Sequence, residues 1–279
     1  MKLGVIGTSV EQYSRSPMIH RYFLAKTGIK GTYDALNVSE LELDDFLSSA
    51  TKEGYRGFNV TIPHKEAVYR YIMTHGYCSK SAMEIGAVNT VIIDENGRLC
   101  GDNTDGYGFI TNILTHPALP LGWDLFNKQI LIIGSGGVAR AIIAALRDNN
   151  QLLLANRTAK NAISLINEMG KGLISYVDYE FISEYAAKAH VIINATSLGM
   201  GGSGRININL SYCDPLTLIV DTVYNPLNTP LLEEAKYHQL PAIDGVGMLL
   251  YQAQRSFYLW TYLNSEVTKE LRQSVVDSL

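Results

Sequence analysis

A buried-type strand pattern at residues 128–133, apolar from Ile130 to Ile133, passes directly into Gly134-Ser135-Gly136-Gly137-Val138-Ala139, and a helical pattern then continues to Arg147. No other part of the chain constrains the fold as strongly. A buried-type strand that meets a glycine turn and then a helix opens a parallel βαβ unit, in which the helix must cover one face of a sheet. The small residues at 134, 136 and 139 fit a dinucleotide fingerprint in its Gly/Ala form. Gly134 permits the tight turn, Gly136 lets the backbone approach a pyrophosphate, and Ala139 lets the helix lie close to the strand. The helix N-terminus then offers unpaired N–H groups to phosphate oxygens. Without a ligand the same string is a plain strand-to-helix turn; its setting between strand and helix favours the nucleotide.

The following strand, residues 152–155, ends in Asn156-Arg157-Thr158. This lies about twenty residues beyond the glycine turn, where an enzyme specific for NAD places Asp or Glu on the ribose 2′-hydroxyl. No carboxylate stands there. An arginine can instead grip a 2′-phosphate in forked geometry that lysine cannot copy, which points to NADP. A solvated Arg157, with Thr158 capping the next helix, is the alternative on these residues alone.

The rest of the chain continues the alternation of short apolar strands and amphipathic helices, so the fold class is α/β. Strands are predicted at 3–6, 32–38 and 57–60, and helices at 17–26, 41–51 and 66–73. Residues 89–94 and 98–101 flank Glu95-Asn96-Gly97 and read as a hairpin closed by an Asn-Gly turn. A helix at 106–114 leads into residues 117–127, where two prolines and a glycine break the pattern near an expected domain boundary. The 279 residues, 47% of them hydrophobic, suffice for two cores.

A net charge of −4 argues against a nucleic-acid partner, so an anionic ligand must find its positive charge locally. No apolar run approaches the roughly 18 residues of a membrane span, and the first 13 residues hold too short an apolar core for a secretory signal. A cytoplasmic protein without a membrane partner is expected. Cys78, Cys100 and Cys213 are odd in number and far apart, without His pairs nearby, so neither a disulfide framework nor a metal site is expected.

Further polar residues gather at expected element ends. In Ser14-Arg15-Ser16-Pro17, Ser16 as N-cap and Pro17 as first helical residue would explain the string, yet two hydroxyls beside a helix N-terminus also suit a carboxylate. The strand at 57–60 delivers Thr61, Pro63 and Lys65 to the C-terminal edge of its sheet, the ligand edge of open α/β folds. Asp102-Asn103-Thr104-Asp105-Gly106 ends the hairpin and reads equally as a turn and cap. Gly245, Met248 and Gln252 share one helical face. An amide among Met and Tyr side chains either packs on backbone or reaches a wet cleft.

Taken in order, Ser14-Arg15-Ser16-Pro17, Asn59-Val60-Thr61-Ile62-Pro63-His64-Lys65, Gly86-Ala87-Val88-Asn89-Thr90, Gly101-Asp102-Asn103-Thr104-Asp105-Gly106, the turn at Gly134, Asn156-Arg157-Thr158, Asn194-Ala195-Thr196-Ser197 and the 245–252 stretch resemble the landmarks of shikimate dehydrogenases. The resemblance spans nearly the whole chain. It implies NADP-dependent, reversible reduction of 3-dehydroshikimate to shikimate on the route to chorismate and the aromatic amino acids. It also implies two domains with a cleft between them. An N-terminal, mainly parallel α/β domain (1–105) is completed by C-terminal helices (245–279), and residues 106–244 form a Rossmann domain.

Carried over by position, the resemblance implies that Ser14 and Ser16 hold the substrate carboxylate, helped by Tyr224. Thr61, Asn89, Asp105 and Gln252 hydrogen-bond the ring hydroxyls, and Lys65 with Asp105 is the catalytic pair. Gly134, Ser135, Gly136, Gly137, Val138 and Ala139 cradle the pyrophosphate, Asn156, Arg157 and Thr158 take the adenosine phosphate, and Gly245, with Met248 one turn on, approaches the nicotinamide. Relatives specific for NADP often carry a second arginine where this chain has Asn161, and many place Met where it has Thr222.

The chemistry suits these residue types. Reducing a ring ketone puts charge on its oxygen, and Lys65 as an ammonium both stabilises that charge and supplies the proton. A neighbouring Asp105 favours the charged lysine while burial opposes it. Two other readings stand beside this one: a broader quinate/shikimate dehydrogenase using NAD or NADP, and a non-catalytic sensor of the same ligands. Against the sensor, Lys65 and Asp105 are both present and no appended DNA-binding segment is apparent. A monomer or homodimer is expected.

Overall fold

The computed structural model describes residues 1–120, 122–170 and 173–279. The chain forms two compact units. One comprises Met1–Gly108 with Leu250–Val275, the other Phe109–Leu249 with Val276–Leu279. The stretch 117–127 is described except at position 121.

The first unit begins β1 (Lys2–Gly7), α1 (Val10–Tyr13), α2 (Ser16–Thr27), β2 (Thr32–Asn37), α3 (Leu43–Ser49) and β3 (Tyr55–Val60). It continues α4 (Lys65–His75), β4 (Tyr77–Cys78), α5 (Lys80–Ile85), β5 (Thr90–Ile93), β6 (Leu99–Asp102) and the start of α6 (Asp105–Leu114). Its six strands lie in the order β2-β1-β3-β5-β6-β4. β1 runs parallel to both β2 and β3, while the β5–β6 hairpin is antiparallel to β3. Asp94 shapes the hairpin turn, its carboxylate accepting from the backbone N–H groups of Asn96 and Arg98, and Gly97 takes the positive φ of 78° that an Asn-Gly turn needs.

Because β1 and β3 end, β5 begins and β6 ends on one side of this sheet, topology collects the segments after residue 7, after residue 60, around residue 89 and after residue 102 along a single edge. Phe58, Val60, Val68, Ile72 and Val91 lie in the core beneath that edge.

The second unit contains β7 (Gln129–Ile133), α7 (Gly137–Leu146), β8 (Gln151–Ala155), α8 (Ala159–Met169), β9 (Leu173–Val177) and α9 (Ile182–Ala186). There follow β10 (Val191–Asn194), β11 (Leu218–Asp221), α10 (Pro230–Tyr237), β12 (Ala242–Ile243) and the start of α11 (Val246–Thr261); α12 (Lys269–Val276) closes the chain. All pairings are parallel, in the order β12-β11-β10-β7-β8-β9, with the reversal between β7 and β10. That is the strand order of the Rossmann fold, whose ligands sit at the carboxyl ends near the reversal. Ile130 and Ile132 enter one core while Leu131 and Ile133 enter the other. Burial on both faces is why residues 130–133 read as an unbroken apolar run.

Among the described residues, no helix is long and apolar enough to cross a membrane, no cluster of His, Cys, Asp or Glu could hold a metal ion, and the three cysteines are unpaired.

Candidate active site

In the first unit, Lys65 is the first residue of α4 and Asp105 the first of α6. An ammonium at a helix N-terminus is opposed by the helix dipole, so it needs a compensating charge. Asp105 provides it, with Lys65 Nζ 2.7 Å from Asp105 Oδ2 and the two side chains 20% and 8% exposed. The Lys65 carbonyl also accepts from Val88 N–H at 2.9 Å, which ties the start of α4 to the strand entry beside Asn89. His64, buried just before it, donates from Nε2 to the Val38 carbonyl at 2.7 Å.

The polarity around Asp105 follows from one backbone group. Thr104 N–H can only donate, and it does so to Asn89 Oδ1 at 2.9 Å, so the Asn89 amide nitrogen must face the other way. There it donates to Asp105 Oδ1 at 2.7 Å. Asp105 is thereby held as an acceptor through both oxygens, Asn89 on one and Lys65 on the other. Gln252 on α11 brings Oε1 to 3.5 Å from both Asn89 Nδ2 and Thr104 Oγ1. Lys65, Asn89, Asp105 and Gln252 are therefore one cluster.

Thr61 follows β3, half-buried, and donates its backbone N–H to Ile6 O at 3.0 Å, which holds it at the same edge. The Ser14–Ser16 segment behaves differently from expectation. Arg15, already in the right-handed helical region, occupies the N-cap, and Ser16 is the first helical residue. Ser14, in extended backbone, accepts from Ser16 N–H at 3.3 Å. The hydroxyl that engages the turn is thus that of Ser14, because the helix starts one residue earlier than Pro17 alone would suggest.

The second unit places residues 134–139 at the β7–α7 junction. Gly134 has φ 118°, and a Cβ there would stand 2.7 Å from Ala195 O. Gly136 is the N-cap with no side-chain capping bond, and a Cβ at Gly136 or Gly137 would meet nothing within 4 Å. Open space over an uncapped helix N-terminus fits a bound pyrophosphate. Ser135 and Val138 are half-buried beside it, and Ala139 is 0% exposed, packing α7 onto the sheet. Past β8, Arg157 and Thr158 are exposed; Thr158 holds the N-cap position of α8 without a side-chain bond, and Asn156 Nδ2 donates to its carbonyl at 3.0 Å.

Two residues expected at a ligand, Gly245 and Met248, also have packing roles. A Cβ on Gly245 would lie 2.4 Å from Thr222 O, which accounts for the glycine without a nucleotide. Met248, 7% exposed, belongs to a core that includes Phe109 and Ile243. Tyr224 is half-buried in the loop after β11. The Asn194-Ala195-Thr196 string shapes the adjoining loop: Asn194 Nδ2 donates to buried Asp221 at 2.8 Å and Asn194 Oδ1 accepts from Thr196 N–H at 3.0 Å. Desolvation pushes the Asp221 carboxyl up, and its hydrogen bonds to Thr229, Val223 and Asn194 oppose that rise.

Sequence reasoning gave no role to Asn59, Thr90, Thr104 or Ser256, all nine-tenths or more buried and hydrogen-bonded behind the Asp105 cluster. The only signal for Ser256 was its spacing of four from Gln252, on one helical face.

Residues 5–91 match the family model for the shikimate dehydrogenase substrate binding domain, and residues 118–200 that for shikimate / quinate 5-dehydrogenase. A shikimate dehydrogenase (NADP+) from Dinoroseobacter shibae is 38% identical over 98% of this chain and 96% of its own length. Among solved structures, shikimate 5-dehydrogenase from Thermus thermophilus, in complex with NADP(H) and shikimate, superimposes with a TM-score of 0.86 at 32% identity, covering 100% of both chains. Quinate dehydrogenase from Corynebacterium glutamicum, in complex with NAD, also reaches 0.86, at 29% identity over 99% of each chain. With this degree of identity across almost its full length, the chain belongs to the shikimate dehydrogenase family.

Proposed function

We propose that the chain catalyses the NADP-dependent, reversible reduction of 3-dehydroshikimate to shikimate, with Lys65 as general acid and base and Asp105 as its partner. The observation that carries the catalytic assignment is the Lys65–Asp105 contact of 2.7 Å, made by two side chains that open separate helices at one sheet edge. NADPH, when bound, supplies the hydride. The chain's own residues handle charge, position and the proton.

Lys65 has three N–H donors, and Asp105 takes one. The others are available to a ketone oxygen. As negative charge grows on that oxygen, the ammonium stabilises it and then transfers a proton from Nζ. In the oxidative direction, neutral Nζ accepts the proton from the alcohol. Asp105 keeps the lysine aimed, and Asn89 keeps Asp105 aimed through its second oxygen. The hydroxyls of Ser14 and Ser16, with Tyr224, would take the substrate carboxylate; Thr61, Asn89 and Gln252 would take ring hydroxyls.

We assign substrate recognition to residues 1–105 with 245–279, and nucleotide binding to residues 106–244. Residues 134–139, Asn156, Arg157, Thr158, Gly245 and Met248 would hold the coenzyme, with Arg157 on the 2′-phosphate. Under this reading the protein works in the cytoplasm as a monomer or homodimer on small molecules. The likeness to a quinate dehydrogenase in complex with NAD keeps a broader specificity as the second reading.

Lys65→Ala tests the assignment. Turnover should fall by roughly a hundred- to ten-thousand-fold, while shikimate binding by calorimetry stays within a few-fold, since the charge is needed chiefly in the transition state. A variant turning over near the wild-type rate would remove Lys65 from the chemistry.

A further inference from the structure

Behind the proposed catalytic pair lies a buried polar cluster to which α11 contributes a single hydroxyl. Ser256 is 0% exposed, as is Thr90, while Thr104 and Asn59 are 1% and 6% exposed. Four polar neighbours surround Ser256 Oγ: the Gln252 carbonyl at 3.0 Å, Asn59 Nδ2 at 3.0 Å, Thr90 Oγ1 at 2.7 Å and Thr104 Oγ1 at 3.2 Å.

Most of the proton directions follow from groups that can only accept or only donate. The Gln252 carbonyl can only accept, so Ser256 donates its one proton there. Asn59 Nδ2 also faces the Asn89 carbonyl at 3.1 Å, so Asn59 donates, and its Oδ1 accepts from the Tyr33 hydroxyl at 2.7 Å. Ser256 therefore accepts from Asn59 and from one threonine. The other threonine proton goes to Asn89 Oδ1, which lies 2.8 Å from Thr90 Oγ1 and 3.2 Å from Thr104 Oγ1. Ser256 is thus the acceptor that draws one threonine proton away from Asn89 Oδ1.

We propose that Ser256 is a positioning residue for the reaction, fixing the Asn89 amide that aims Asp105 and locking the turn of α11 that carries Gln252. Without its oxygen, Asn59 Nδ2 keeps the Asn89 carbonyl and Thr90 Oγ1 as acceptors, but the threonine proton turns to Asn89 Oδ1 and competes with Thr104 N–H for it. The amide then loses the single orientation that places Nδ2 on Asp105. The inference rests on the reading of Lys65 and Asp105 as the catalytic pair.

Ser256→Ala and Ser256→Cys, each with and without Thr90→Val, test it by steady-state kinetics with shikimate and NADP alongside thermal melting. Misplacement by about 1 Å can cost a hundred-fold in rate, so a loosened Asn89 should lower kcat about ten-fold, with KM for shikimate rising less. Cysteine, similar in size but a weak acceptor, should behave as alanine does. Thr90→Val should reproduce the loss, and the double variants should be little worse than either single one.

If cysteine restores full activity, or the two sites add independently, the cluster is packing and the proposal falls. The same holds if Ser256→Ala lowers the melting temperature alone, leaving kcat and KM unchanged. Should the alanine variant fail to fold, the similar-sized cysteine and valine variants decide. A wild-type chain without turnover would overturn the functional reading itself; an active wild type matched by Ser256→Ala would overturn only this inference.

Discussion

His20 is fully buried, stacked on Tyr33 with ring centroids 4.3 Å apart, and among the described residues neither ring nitrogen has a hydrogen-bond partner. Burial pushes its pKa down to about 3, and Asn59 offsets only part of that. Since the folded value lies below the unfolded one of about 6.5, the folded state refuses a proton that the unfolded chain accepts. The contribution to stability is complete above pH 6.5 and is lost as pH falls from there toward 3. Urea unfolding should give a chain less stable by on the order of 1 kcal/mol at pH 5.5 than at pH 7.5 from this group alone. His20→Leu should remove that part of the slope, and an unchanged slope would contradict the account. Arg157 belongs to the same scale. If it holds a 2′-phosphate, Arg157→Ala should weaken NADPH about ten- to a hundred-fold in competition binding and leave NADH nearly unchanged. Equal losses would remove the phosphate argument. Lys65 and Asp105 each stand beside a structural signal, a strand end or a helix entry, but their pairing was read only from the resemblance to the family. Ser256 was not legible, because its partners Asn59 and Thr90 lie 197 and 166 residues away and nothing local marks the pairing.

At the scale of elements, the β7–α7 junction separates what a glycine does for the fold from what it does for a ligand. Gly134 is required by the chain itself: with φ 118° and a virtual Cβ 2.7 Å from Ala195 O, Gly134→Ala should cost roughly 1–3 kcal/mol or more. Gly136 is not so constrained. Its φ of −84° suits any residue, and a Cβ there meets nothing. Gly136→Ala should therefore melt with the wild type yet bind NADP about ten-fold more weakly, as the backbone loses its approach to the pyrophosphate. Undiminished binding would mean that the turn does not cradle the coenzyme. The junction was readable because periodicity changes sharply where strand becomes helix. Short elements such as α1 and β4 were not readable: four and two residues are too few to show a period, and tertiary contacts decide them. The start of α2 was misplaced for a related reason, as Ser14 and Ser16 have the same capping chemistry and only backbone conformation at Arg15 separates them.

At the scale of the molecule, the two sheets build different edges. The mixed sheet of the first unit gathers Thr61, Lys65, Asn89 and Asp105 by bringing strand ends of both directions to one edge. In the wholly parallel sheet of the second, the strand order reverses beside the glycine turn. The α/β class and the Rossmann half were legible in the alternation of elements. The strand order of the first sheet was not, because the place of a two-residue strand such as β4 beside β6 is settled by packing. Steady-state measurement of nicotinamide reduction by near-ultraviolet absorbance, with shikimate or quinate against NADP or NAD, tests the whole reading in one experiment. The account predicts rapid formation of reduced coenzyme with shikimate and NADP, and much slower formation when either is replaced. Folded protein that binds shikimate but reduces neither coenzyme would contradict it.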